Sequence, residues 1–219
     1  MKSTKPRASH KKRGRSSAGL AVDRIVAVAI DEFSRHGFAA VTMRRIASKC
    51  HLTMPSIYFY FKNKRALYLH CYLKVYQEGN VRPLAALKKP GTPTQRLYRY
   101  LVALAQEAIE NPNSVKFTYR AIIDEDKEFF SSVHSQSTLD QVRLLRSTIA
   151  EVTGRPTSFR EPIALYGVTL SPIHFSILGG EVEADLKGLA KNPHALAKFV
   201  LETVYPNVAA AFDFPDDRP

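Results

Sequence analysis

The amino-acid sequence predicts an all-α protein with a small basic head and a larger, nearly neutral body. Apolar residues recur at spacings of three and four along most of the chain, and alternation with a period of two is nowhere sustained. Residues 1–76 contain 16 Lys and Arg against 3 Asp and Glu, whereas residues 77–219 contain 16 against 17. All of the excess positive charge lies in the first third, where a polyanion is expected to bind. Nucleic acid is the first candidate and an anionic membrane surface the second.

Composition narrows the class of protein. A chain of 219 residues with 45% hydrophobic residues can bury a substantial core. Two cysteines, Cys50 and Cys71, are too few for a disulfide scaffold, which predicts a reducing compartment and a cytoplasmic location. No apolar run approaches the roughly 20 residues that a membrane-spanning helix requires, so we expect a soluble protein with no membrane partner.

Residues 1–19 predict a mobile basic arm. They contain seven Lys and Arg, no acidic residue and almost no large apolar residue, so burial cannot offset the entropy of ordering them. A mitochondrial transit peptide is also rich in Arg and Ser, but this stretch lacks the apolar face of an import helix. The arm either only solubilises the protein or reaches the minor groove of DNA. The residues that would reach the groove are Lys11, Lys12, Arg13 and Arg15.

Residues 20–66 predict a head of three helices. The first helix has an apolar face that includes Ile25 and Phe33, and it ends at Gly37, where glycine accepts a positive φ. The opposite, polar face is expected to meet solvent. Its members are Asp23, Arg24, Asp31, Glu32 and Arg35.

Capping residues delimit the next helices. Thr42 is a good N-cap for a second helix that runs to about Lys49. After a tight turn at residues 50–52, Thr53 caps a third helix of about two turns. Asn63 then caps a fourth, longer helix.

Residues 67–219 predict a larger helical body. The segment Lys89–Pro93 is a clear break. Further helices are expected at residues 94–110, 114–124, 137–152, 158–179 and 193–212. Pro172 should kink its helix. The whole chain then has about nine helices and no sheet.

Two short helices joined by a tight turn and set against a longer helix form the outline of a DNA-reading helix-turn-helix, here Thr42–Phe61. Side chains able to bind phosphate oxygens decorate it. They are Arg44, Arg45, Lys49, Thr53, Ser56, Tyr58, Tyr60, Lys62, Lys64 and Arg65. A two-turn helix suits insertion into a major groove about 12 Å wide.

The same region resembles the signature of the TetR (tetracycline-repressor-like) family of transcriptional regulators. The resemblance covers roughly residues 20–70. It rests on Gly37-Phe38, Thr42, Ile46-Ala47, Leu52–Lys64 and Leu67. It implies a homodimeric repressor that places the third helix of each head in successive major grooves of a palindromic operator. It also implies that residues 67–219 form the dimer and bind a small-molecule inducer that releases the DNA.

The resemblance assigns roles to individual residues. The positions of phosphate contacts are Thr42, Thr53, Tyr58, Tyr60 and Lys64. The positions that reach base edges or the groove wall are Arg44, Arg45, Met54, Pro55, Ser56 and Phe59. Ile57 and Phe61 lie four residues apart on the other side of the third helix, and they should lock it onto Phe33, Ile46 and Leu67.

Three positions depart from the family pattern. His51 stands where a glycine usually closes the second helix, and histidine enters the left-handed region at modest cost. Met54-Pro55 removes a backbone donor, which leaves the base preference open. Arg45 stands where an acidic residue is common, which predicts an unusually strong hold on phosphate.

In the body, we expect His134, Tyr166 and His174 to make polar contacts with the ligand. By resemblance, the last two long helices form the dimer interface. Their regularly spaced apolar residues fit such an interface and fit an internal core equally well. These residues are Ile163, Tyr166, Leu170, Ile177, Leu196, Val200, Val204 and Val208.

Other classes of protein find less support. The chain has no His-Glu-x-x-His, no Gly-x-Ser-x-Gly and no phosphate-binding glycine loop, so we expect neither an enzyme nor a cofactor. A non-specific nucleoid or membrane-surface protein would use the basic arm but would leave the neutral body unexplained. The pairs Cys50-His51 and His70-Cys71 suggest zinc, but neighbouring residues on a helix point about 100° apart and cannot easily chelate together, so we expect no metal.

Overall fold

The computed structural model describes residues 17–123, 136–158, 160–178 and 184–215. These residues form eleven helices and no strand, which confirms the all-α prediction. The helices are α1 (Ser17–Ala40), α2 (Met43–Lys49), α3 (Met54–Tyr60), α4 (Lys64–Leu87), α5 (Pro93–Glu110), α6 (Pro112–Ile123), α7 (Gln136–Thr153), α8 (Arg160–Leu178), α9 (Ala184–Leu189), α10 (Pro193–Val204) and α11 (Pro206–Ala210). His134 and the first sixteen residues of the predicted arm lie outside the described residues.

The predicted helix at residues 193–212 is two helices. Pro206 has no N–H to donate, and Tyr205 before it leaves the helical region with φ −135° and ψ 63°. The six residues of α9 were not predicted, since a helix of that length shows little periodicity. The helix α8 runs through Pro172 without interruption.

Local signals in the head are confirmed. Gly37 has φ 75° and interrupts α1 where the sequence predicts its end. The side chain of Thr42 accepts a hydrogen bond from the Arg45 amide at 3.2 Å, and that of Asn63 accepts one from the Ala66 amide at 2.8 Å. Each such cap stabilises its helix by about 1 kcal/mol.

The hydrophobic cluster of the head extends beyond the first three helices. Phe33 of α1, Ile46 of α2 and Ile57 of α3 are fully buried in it. The first half of α4 contributes side chains such as that of Leu67 to this cluster, and α6 contributes that of Phe117. The head therefore shares α4 and α6 with the body, so the position of the head depends on the positions of these two helices.

An aromatic junction joins α6 to the head. The ring of Phe117 lies 5.1 Å from the ring of Tyr68 and 6.3 Å from that of Phe33, and Tyr68 meets Phe33 edge-to-face at 4.9 Å. Aromatic pairs at these distances are favourable beyond the area they bury. Any displacement of α6 therefore acts on α1 and α4 as well.

The body has its own cluster, formed by α5, α7, α8 and α10. Three residues whose spacing fitted a dimer interface lie inside it, namely Leu170, Leu196 and Val200. The interface reading is wrong for these three, because packing within one chain already covers them. The side chain of Ile177 is not described. Ile163, by contrast, is 71% exposed on α8, together with Phe175 at 56%.

Candidate nucleic-acid interface

The turn between α2 and α3 is compact and regular. The Leu52 amide donates to the Ala47 carbonyl at 2.9 Å, and the His51 amide donates to the Ser48 carbonyl at 3.0 Å. His51 has φ 51°, the one positive φ at a non-glycine residue within the described residues. The prediction that histidine takes the left-handed position here is confirmed. This conformation forms part of the turn through which the chain passes from α2 to α3.

Hydrogen bonds hold the start of α3. Thr53 Oγ1 accepts from the Ser56 amide at 3.3 Å and lies 2.8 Å from Ser56 Oγ. Pro55 lies in the first turn of α3, where the missing N–H costs no helical hydrogen bond. Thr53 and Ser56, both predicted DNA contacts, thus stand side by side at the end of α3 that would enter a groove first.

The two sides of α3 differ in exposure as the sequence predicts. Ile57 is fully buried and Phe61 is 6% exposed, whereas Tyr58 is 47% and Phe59 is 82% exposed. Tyr60 is half-buried and packs edge-to-face on Phe59 at 5.2 Å. Tyr58, Phe59 and Tyr60 together form an aromatic patch on the outer side of α3, and a contiguous exposed patch of this kind indicates a binding surface.

A buried carboxylate binds two of the basic residues on α2. Glu32 of α1 has no exposed side-chain area and forms ion pairs with Arg45 and Lys49. Arg45 Nη2 also lies 2.8 Å from His36 Nε2. Burial by itself would raise the pKa of Glu32, but hydrogen bonds and positive charge from Lys49 and Arg45 outweigh it and lower the pKa.

Two expectations change as a result. The polar face of α1 was expected to meet solvent, and this is wrong for Glu32, because α2 packs over that part of α1. Arg45 was expected to strengthen the hold on phosphate, but in the structure Glu32 pairs with its guanidinium, while 46% of the side chain stays exposed. The sequence alone did not predict that Glu32 is buried, because its burial depends on how α2 packs against α1. The one available signal was the pair of basic residues at 45 and 49, which face the same side of a helix.

Lys64 is also engaged within the head. Its ammonium group donates to the carbonyls of Phe38 at 2.8 Å, Val41 at 3.0 Å and Ala39 at 3.4 Å, and it lies 4.3 Å from the centre of the Phe38 ring. An ammonium group has three protons to donate. The backbone carbonyls at the end of α1 therefore accept hydrogen bonds from the same ammonium group that the sequence analysis assigned to phosphate contacts.

Arg44 keeps an outward position. Its side chain is exposed on α2, and no salt bridge or hydrogen bond engages it within the described part of the chain. Thr42 and Met54 lie at the starts of α2 and α3, Thr42 exposed and Met54 half-buried. The exposed residues of the helix-turn-helix are Thr42, Arg44, Arg45, Ser48, Lys49, His51, Thr53, Pro55, Tyr58 and Phe59. Of its basic residues, Arg45 and Lys49 are paired with Glu32.

Comparison with known proteins agrees with this geometry. The family profile described as "Bacterial regulatory proteins, tetR family" matches residues 25–71. A TetR-like transcriptional regulator from Rhodococcus sp. RHA1 is 25% identical, with 89% of this chain and 99% of that one covered and a TM-score of 0.66. Residues 25–71 therefore resemble the DNA-binding head of TetR-family regulators, and the described chain shares the fold of a TetR-like transcriptional regulator.

Two further comparisons concern the head and the whole fold separately. The HTH-type transcriptional regulator YerO of Bacillus subtilis (strain 168) is 43% identical over 47 residues, which are 22% of this chain and 16% of that protein. The match concerns the head alone. The fatty acid degradation regulator FadR of Bacillus halodurans is 16% identical with a TM-score of 0.63, covering 85% of this chain and 96% of that one. It shares the fold.

The body of the regulator contains a cavity of about 110 Å³. It lies among α1, α4, α5, α6 and α8. Its lining residues are Ile30, Val75, Glu78, Gly79, Asn80, Leu104, Glu107, Ala108, Asn111, Ser114, Val115, Thr118, Tyr166 and Leu170. Of the predicted ligand contacts, Tyr166 lines this cavity, whereas His174 does not and His134 lies outside the described residues.

His174 packs elsewhere in the body. Its ring stacks on Tyr119 at 4.0 Å, and its Nδ1 is buried without a hydrogen-bond partner in the described structure. Burial, together with the positive charges of Lys116 and Arg120, lowers the pKa of His174. The stacking on Tyr119 is a packing contact within the body. His174 is not among the residues that line the cavity.

Neither a metal site nor a membrane span emerges from the described ranges. No group of three or more His, Cys, Asp or Glu there could hold a metal ion. No helix there is both long and apolar enough to cross a membrane.

Proposed function

We propose that this chain is a TetR-family transcriptional regulator, a homodimeric repressor that binds a palindromic operator and releases it when a small molecule binds the body. One observation supports the DNA-binding part of this proposal, namely that one side of α3 is buried in the head and the other side is exposed. Ile57 and Phe61 anchor the helix in the head, while Tyr58 and Phe59 project from it. A short helix held from one side and bearing aromatic and hydroxyl groups on the other can enter a major groove without unfolding the head.

The proposed DNA contacts follow from exposure and position. They are Thr42, Arg44, Thr53, Met54, Pro55, Ser56, Tyr58, Phe59 and Tyr60. Arg45 and Lys64 receive a different role, because Glu32 and three backbone carbonyls occupy their donors. Both residues hold the head in the shape that presents α3.

The proposed dimer uses the outer face of α8. Ile163 and Phe175 are both exposed on this helix, about 18 Å apart along its axis and roughly 120° apart around it. Large exposed apolar side chains that recur on one helix are typical of a surface that a partner covers. A second copy packed on this face through a twofold axis would cover both.

The proposed release of DNA is transmitted by α6. This helix lines the cavity through Ser114, Val115 and Thr118, and its Arg120 donates to the carbonyls of Ser34 at 2.8 Å and Arg35 at 3.2 Å. Arg120 thereby satisfies the open end of α1 just before Gly37. A ligand that displaces α6 would pull on the end of α1 and change the spacing of the two heads.

Binding to a selected duplex tests the function. A palindromic site is first enriched from random-sequence DNA by the full-length protein, and its affinity is then measured by fluorescence anisotropy at several salt concentrations. Phe59→Ala and Arg44→Ala should each weaken binding at least tenfold, whereas Arg143→Ala on α7 should leave it unchanged. Failure to enrich any site over random DNA, or equal affinity in all three variants, would contradict the proposal.

A further inference from the structure

We propose that the cavity of the body binds a small organic cation, a primary ammonium group on an apolar chain of about four carbon atoms. This inference rests on the proposed function, since it names the chemical class of the inducer. Four properties of the cavity support it, namely the sign of its charged groups, the sharing of nearby cations, a neutral acceptor in its wall and its size.

The charged side chains that line the cavity are both carboxylates. Glu78 lies on α4 and Glu107 on α5, and no Lys or Arg lines the cavity within the described structure. The side chain of Glu107 is 20% exposed and that of Glu78 is 63% exposed. Glu107 is therefore the deeper negative group, and Glu78 lies nearer to solvent. A ligand carboxylate would meet charges of its own sign here, whereas an ammonium group would meet opposite ones.

The cations next to these carboxylates are shared, so they do not cancel the charge. Lys74 pairs with Glu78 at 2.8 Å and also with Asp23 at 3.3 Å. Arg82 pairs with Glu107 at 3.6 Å and with a second glutamate of α5 at 2.9 Å. Lys74 and Arg82 thus each divide their charge between two carboxylates, and Glu107 Oε1 also accepts from Asn111 Nδ2 at 2.7 Å. The charged groups that line the cavity itself are both negative, which favours a cationic ligand.

Asn80 adds a neutral acceptor to the cavity wall. The residue is 7% exposed, and its Nδ2 donates to the Tyr76 carbonyl at 2.7 Å. Its Oδ1 is not among the buried atoms that lack a partner in the described structure, so this oxygen keeps accessible surface and can accept from a ligand. An ammonium group offers three donors and no acceptor, which suits a wall that contains Asn80 and Glu107.

The remaining walls are apolar or neutral, and they limit the size of the ligand. Leu104, Val115 and Leu170 supply apolar surface. Burial raises the pKa of Tyr166, so its phenol stays neutral near pH 7 and adds no charge. A cavity of roughly 150 Å³ holds benzene, so one of about 110 Å³ accepts a chain of about four carbons.

Three ligands of one size separate the possible chemistries. Butylammonium, 1-butanol and butyrate are titrated into the full-length protein and followed by calorimetry. Butylammonium should bind at least tenfold more tightly than 1-butanol, and butyrate should bind more weakly than either. Glu107→Gln should weaken butylammonium at least tenfold and change the affinity for 1-butanol by less than twofold. Glu202→Gln, which removes an exposed carboxylate on α10, should change neither.

The outcomes separate the ligand class from the regulatory role. Butyrate binding as tightly as butylammonium, no binding of any of the three, or an unchanged butylammonium affinity in Glu107→Gln would each overturn the ligand class. Release of the selected duplex is measured independently by anisotropy. Butylammonium that binds selectively without releasing DNA supports the ligand class and contradicts the inducer role. Release by butyrate alone supports an inducer role and overturns the ligand class.

Discussion

Replacing Glu32 should free two cations for DNA. Glu32 is fully buried, and the side chains of its partners Arg45 and Lys49 are each 46% exposed, so both can turn towards solvent when the carboxylate is gone. Glu32→Leu keeps a similar volume against the head cluster. Each new phosphate contact steepens the slope of log affinity against log salt by about 0.9, so two contacts add about 1.8. Between 50 and 200 mM salt, the variant should therefore lose roughly tenfold more affinity than the parent protein.

Fluorescence anisotropy with the selected duplex measures this slope. The variant Glu32→Leu with Arg45→Gln and Lys49→Gln is the matched control, because it removes the carboxylate and both cations and should return the slope to that of the parent. A Glu32→Leu slope equal to that of the parent, in a protein that melts cooperatively, would refute the reasoning. The two cations would then be held away from DNA by packing and not by the carboxylate.

Glu32 also makes the stability of the head depend on pH. Its pKa is lowered in the folded protein, so its contribution is present above the unfolded value of about 4.5 and is lost as pH falls through the folded value. Chemical denaturation should show a larger loss of unfolding free energy below pH 4.5 in the parent than in Glu32→Leu. An equal loss in both proteins would show that Glu32 is not the group responsible.

Three further predictions concern single features. Lys64→Met leaves the carbonyls of Phe38 and Val41 without their donor, so it should lower the unfolding free energy measured by urea denaturation by about 1–3 kcal/mol. The same change at exposed Lys62 should leave the unfolding free energy unchanged, and equal losses in both variants would contradict the capping role. His51→Gly should raise the melting temperature and His51→Val should lower it, since φ 51° costs a residue with a Cβ about 1 kcal/mol or more; the reverse order would contradict this. Phe175→Glu should convert a dimer into a monomer in sedimentation experiments, and Val81→Glu, also at an exposed apolar side chain, should not; a monomeric parent would refute the interface.

The sequence by itself determined the helical architecture and the orientation of α3. Apolar periodicity, Thr42, Thr53 and Asn63 as caps, and the break at Gly37 act within a few residues, so they can be read without knowing what packs nearby. The same holds for Ile57 and Phe61, because a separation of four residues places both on one face whatever the partner is. His51 was predictable for the related reason that a tight turn demands a particular φ.

Only the tertiary structure decided what several polar and apolar side chains do. On sequence alone Glu32 is predicted to face solvent, whereas α2 buries it in the structure. Lys64 is predicted to contact phosphate, and only the structure shows that its ammonium group also donates to carbonyls at the end of α1. Leu196 and Val200 fit an interface and a core equally well on spacing, and packing against α5 placed them in the core. The cavity beside Glu107 draws its wall from five helices. Such outcomes depend on residues far apart in the chain, because burial and ion pairing are properties of the space between helices and not of any one of them.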